Sequence, residues 1–300
     1  MAQPNENIEL KSIEAYLKHW DNFFEKWEKD SKATFDEDVI WKNRKGKGET
    51  ELECDVFPQP YLGNIHDHSV ITLNLNPSRS KKGVKKFNLK NGEKGNENDV
   101  FEEKHLQEFL KKPKKDYYEY AKGFPTYDID FWQNQKNWID RIFKKLGKDA
   151  PSENKIKPFA IEICPWGSKK FQNLKIKKDD PLIKYMDHYV FDVIEKVIEH
   201  SKLKVVLSVG KAYYDIFDNK KTVFVREKEI SYQNKPEGID WPQTKDEVSG
   251  KDRDVKRTFS IWKKGKILYI NTYASGSNTP PAEHFDEIQN QLINKYLNKI

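Results

Sequence analysis

Cysteine is almost missing from this chain of 300 residues: Cys54 and Cys164 are the only two. Two thiols cannot build a disulfide framework or a four-thiolate cluster, so both are expected to be buried or incidental. Long apolar runs are missing as well. No stretch approaches the ~18 apolar residues of a membrane span, and Met1 to Asn7 lacks the apolar centre of a signal peptide. A soluble, cytoplasmic protein without membrane contact is the expectation. A dominant charge of one sign is also absent. The balance of 54 basic against 48 acidic side chains leaves +6, too little to argue for nucleic acid by itself. Several catalytic signatures are incomplete. His66-Asp67-His68 has no third or fourth ligand at a familiar spacing and reads as a polar turn. Gly210-Lys211-Ala212 lacks the glycines before and the hydroxyl after the Lys of a phosphate loop. Ser275-Gly276-Ser277 lacks a strand–Ser–helix elbow and a paired His. Neither a metal nor a cofactor is expected, and no internal repeat is found.

Short apolar strands are what the chain does contain. Ser69 to Leu75 is a buried-strand pattern that breaks into Asn76-Pro77-Ser78 and then into cations. Leu203 to Val209 meets Gly210 and a helical start, Lys266 to Asn271 opens into Thr272 to Asn278, and Phe159 to Cys164 ends in Pro165-Trp166-Gly167-Ser168. Such strands alternating with helices argue for an α/β fold. We expect a three-layer α/β/α arrangement around a central, mostly parallel sheet, with functional loops at the carboxyl ends of the strands.

Helices are expected over 8–30, from Leu10, Ile13, Leu17, Trp20, Phe24 and Trp27, and over 100–121 and 131–147. Two more run from Asp180-Pro181 to about Ser201, and from Pro280-Pro281 to the end with Phe285, Ile288, Leu292, Ile293 and Tyr296 inward. Residues 80–99 read as an extended loop. Residues 234–256 read as a charged insertion between strands near 222–232 and 257–263, an antiparallel excursion. The expected division is a helical N-terminal extension over 1–50 and an α/β domain over 51–300 with insertions near 80–125 and 220–260.

Candidate residues sit where strands end. Asn76 could orient a water molecule, although Asn-Pro after a strand is also an ordinary turn. Arg79, Lys81, Lys82, Lys85, Lys86 and Lys90 follow with no acidic residue among them, either as phosphate contacts or as a solvated loop. Tyr61 could stack on a base or be an ordinary core or surface residue. Glu162 is the one charge in an apolar strand, so it needs a partner if it is buried there.

Pro58-Gln59-Pro60-Tyr61-Leu62-Gly63-Asn64, followed by Leu73-Asn74-Leu75-Asn76-Pro77, resembles the opening of uracil-DNA-glycosylase-like proteins, whose first motif is similar to Gly-Ile-Asn-Pro-Gly. Glu162 to Phe171 resembles a Glu-x-x-Pro-Tyr-x-Ser segment of bacterial members, and Asn271 to Ser277 stands where the family has a DNA-clamping loop. The likeness spans roughly residues 55 to 295. It implies a protein that binds single- or double-stranded DNA and hydrolyses the N-glycosidic bond of a flipped uracil or modified base. By the same resemblance Asn76 and Glu162 are the catalytic residues. Tyr61, Asn74, Pro77, Ser78, Trp166, Ser168, Asn271, Ser275 and Ser277 contact the substrate, and Arg79, Lys81, Lys82, Lys85 and Lys86 follow the DNA backbone. Asn74 and Ser78 replace the motif's two glycines, and the 271–277 loop lacks the family's Pro and leading His. The alternative is therefore a catalytically inactive module of the same fold that binds nucleic acid or a partner protein. A hydrolase of free nucleosides or nucleotides is a third reading, disfavoured because many cations are rewarded only by several phosphates.

If the 79–90 segment follows a phosphate backbone, Ala at Lys81, Lys82, Lys85 and Lys86 will weaken DNA affinity for every sequence and flatten its dependence on salt. Binding titrations across a salt series check this, and an unchanged slope returns the segment to a solvated surface.

Overall fold

The computed structural model describes residues 13–29, 60–75, 130–146, 157–165, 185–218, 224–230, 243–245, 252–254, 257–274, 280–281 and 285–297. Its α-helices are α1 (Ile13–Lys29), α2 (Asp130–Lys145), α3 (Asp192–Val197), α4 (Lys211–Phe217) and α5 (Asp286–Leu297). The strands are β1 (Tyr61–Leu62), β2 (Val70–Asn74), β3 (Pro158–Glu162), β4 (Val205–Val209), β5 (Val225–Ile230), β6 (Gln243–Lys245), β7 (Asp252–Asp254), β8 (Arg257–Lys264) and β9 (Ile267–Ala274). The expected loop over 80–99 and helix over 100–121 lie outside the described residues. The chain divides into two compact units, one of Met1–His66, Leu75–Phe124 and Ile161–His200, the other of Asp67–Asn74, Pro125–Ala160 and Ser201–Ile300. Among the described residues no helix is long and apolar enough to cross a membrane.

The first unit is built on aromatics. Ile13, Tyr16, Trp20 and Phe23 recur at three- and four-residue intervals and form the buried stripe of α1. Leu17, expected inward, is half-buried, because the stripe is centred on Tyr16 and Trp20 instead. Tyr16 packs on Tyr61 at 5.9 Å between ring centroids, which joins α1 to β1 within this unit. A π-helical turn, Asp187–Phe191, leads into α3, and a 3-10 turn at Ile198–His200 closes that helix. His19 lies 4.7 Å from Tyr189, which stacks on Tyr185 at 4.9 Å.

In the second unit the strand order is β3-β2-β4-β9-β8-β5. β2, β4 and β9 run parallel, with Ile71 opposite Val206 and Ser208 opposite Asn271. β3 starts level with β2, where Ser69 N donates to Lys157 O at 2.7 Å. The sheet is mixed: β8 returns antiparallel to β9, and β5 is antiparallel to β8. The physical reason is the two-residue turn Gly265-Lys266, too short for a crossover, in which Gly265 takes a φ of 59°. β6 and β7, inside the expected charged insertion, pair as a separate antiparallel hairpin.

One face of this sheet is apolar. Val70, Val205, Leu207, Leu268, Ile270, Phe259 and Ile261 pack under Trp138, Ile139, Ile142 and Phe143 of α2 and Phe285, Leu292, Ile293 and Tyr296 of α5. Arg141 ties the two helices by donating to Asp286 at 3.0 Å and to the Pro281 carbonyl, and Trp138 Nε1 donates to Gln289 Oε1 at 2.6 Å. On the opposite face Phe217 of α4 meets Trp262, Tyr269 and Phe224.

Burial, with Lys26 adding repulsion, pushes the His19 imidazole down to about 4. Both states are neutral at pH 7. Between 6.5 and about 4 the unfolded chain takes up the proton and the folded chain resists it, so stability falls as the pH is lowered through that window. The full shift corresponds to on the order of 3 kcal/mol. Urea unfolding at pH 7, 5.5 and 4.5 will show a steeper loss for the wild type than for His19→Gln. Equal slopes would mean that His19 is not held neutral by the fold.

Candidate functional site

Parallel strands that start together end together, and in this sheet the shared end carries the polar residues. β2 lies between β3 and β4, so the chain leaves it first for one neighbour and later for the other. Such a reversal of strand order opens a crevice beyond the carboxyl ends, the usual ligand position in open α/β sheets. Asn74 of β2, Gly210 after β4 and Thr272 of β9 stand at that edge.

Side chains alternate along a strand, so Val70, Thr72 and Asn74 share the face covered by α2. Val70 belongs to the apolar core, while Thr72 and Asn74 continue its row in polar form, both buried. α2 matches them. Gln135 lies one turn before Trp138 and Ile139 on the same stripe, and its Nε2 donates to Asn74 Oδ1 at 3.3 Å. This places the beginning of α2 over the end of β2. Gln135 Oε1 and Thr72 Oγ1 are enclosed and have no hydrogen-bond partner among the described residues. An unmet group of this kind costs about 1–3 kcal/mol. Farther along the same face Arg257 donates to Thr272 Oγ1 at 3.3 Å and lies 5.3 Å over the Phe285 ring. Burial lowers its guanidinium only to about 10, so it remains cationic at neutral pH.

Asn271 reaches the same edge on the other face. Its register partner is Ser208, whose neighbours in β4, Leu207 and Val209, belong to the α2 side. Ser208 Oγ donates to Asn271 Oδ1 at 3.0 Å, and Asn271 Nδ2 donates to the Gly210 carbonyl at 3.1 Å. The side chain, fully buried, thus ties β9 to the exit of β4, where Gly210 takes φ 144° and ψ 152°. That backbone region is essentially reserved for glycine. Asn74 and Asn271 therefore share an edge but not a face.

In the first unit Tyr61 is buried against Tyr16 as part of the core, and burial pushes its hydroxyl far above the ordinary tyrosine range. Glu162 is buried at the end of β3, where its amide donates to Pro60 O at 2.9 Å. Cys164, buried and not in a disulfide, donates its amide to Leu75 O at 2.9 Å. His66 N donates to Asn64 Oδ1 at 3.0 Å in the expected polar turn, and among the described residues no group of His, Cys, Asp or Glu could hold a metal ion. Asn76, Pro77, Ser78, Arg79, Lys81, Lys82, Lys85, Lys86, Lys90, Trp166, Ser168, Ser275 and Ser277 lie outside the described residues.

Comparison with known proteins finds no matching family model, no matching curated protein and no matching solved structure. The site thus rests on its own geometry. Sequence reasoning missed Thr72, Gln135, Arg257 and Thr272. The signal was present for Gln135, a polar residue on an otherwise apolar helical stripe, but which strand that stripe would meet is not written in the helix.

Asn271→Ala removes the partner of Ser208 Oγ and of the Gly210 carbonyl inside the sheet. Unfolding stability should fall by about 2–4 kcal/mol, read as a lower urea midpoint at unchanged slope. A variant as stable as the wild type would release Asn271 from this role and return it to ligand contact.

Proposed function

We propose that this chain is a uracil-DNA-glycosylase-like protein, a three-layer α/β/α domain that binds DNA and hydrolyses the N-glycosidic bond of a flipped uracil or modified base. One observation carries the reading. β2 ends at Asn74, two residues before Asn76 in the sequence, at the point where the strand order reverses, and ligands of open α/β folds sit beyond such strand ends. Support comes also from the carboxamide pair Asn74–Gln135 at that edge, since carboxamides match the donor and acceptor edges of bases.

In this reading Asn76 orients the water that adds to the sugar's anomeric carbon as the bond to the base breaks and the base leaves with the bonding electrons. A weak activator suffices because the sugar acquires cationic character before the water bonds, and the site acts mainly by electrostatics. Glu162, at the end of β3, supplies a catalytic carboxylate, and the cations from Arg79 to Lys86 hold flanking phosphates. The inactive alternative has its own support: Asn74 fills the place of the motif's leading glycine, and its amide is already engaged by Gln135.

Asn76→Ala separates the two. A glycosylase will lose base release by at least about a hundredfold while keeping most of its DNA affinity. Abasic-site formation on single- and double-stranded DNA carrying uracil and a panel of modified bases checks this. A wild-type protein that binds DNA yet releases no base selects the inactive module. One that does neither overturns both readings.

A further inference from the structure

We draw no further inference here: the strongest candidate, the half-buried aromatic pair of Tyr214 on α4 and Tyr273 near the carboxyl end of β9, whose ring centroids lie 6.0 Å apart, continues the aromatic packing of Tyr214 on the buried Trp262, and nothing in the structure shows what covers it.

Discussion

Ile71 pairs with Val206 and Val206 with Tyr269, so three strands far apart in the chain advance together along one parallel ladder. The remaining features of the second unit depend on that ladder. Backbone bonding between parallel strands makes their carboxyl ends coincide, and the period of two decides which side chains share a face. Val70, Leu207 and Ile270 then meet in one apolar layer, and α2 and α5 are held there by the area they cover. Shifting any one strand by one residue would exchange its buried and polar rows, which is why the register is strongly specified.

The same ladder explains how polar groups come to lie inside. Toward the carboxyl ends the apolar rows change to Thr72 and Asn74 on one face and to Ser208 and Asn271 on the other. The two faces resolve the cost differently. Ser208, Asn271 and the Gly210 carbonyl satisfy one another and secure a glycine in a conformation other residues avoid. Thr72 and Gln135 leave an oxygen each unmet among the described residues. A closed network strengthens the sheet, whereas an enclosed group without a partner carries a local penalty. The first unit shows the parallel case for a titrating group, His19, kept neutral among Trp20 and Tyr189.

Much of the architecture was legible from residue patterns. Apolar runs breaking into Asn, Gly, Thr or Pro located β2, β3, β4 and β9, and the three- and four-residue spacing located α1, α2 and α5. These are local properties, since a strand or helix must present an apolar row to be buried at all. The inward side of α1 was less legible, because aromatic residues occupy adjacent positions and the choice between Tyr16 and Leu17 is made by Tyr61, which is distant in sequence.

By itself the sequence determined the element types, the placement of polar residues at strand ends, the shortage of thiols and the acid-free cationic run from Arg79 to Lys90. Only the tertiary structure decided the order of the strands, the antiparallel return of β8 and β5, the separation of Asn74 from Asn271 onto opposite faces, and the meeting of Gln135 with Asn74. The physical reason is one of range. Burial periodicity and turn chemistry act between neighbours in the chain, whereas strand order and helix docking are set by hydrogen bonds and packing between segments whose sequences carry no mark of their partners.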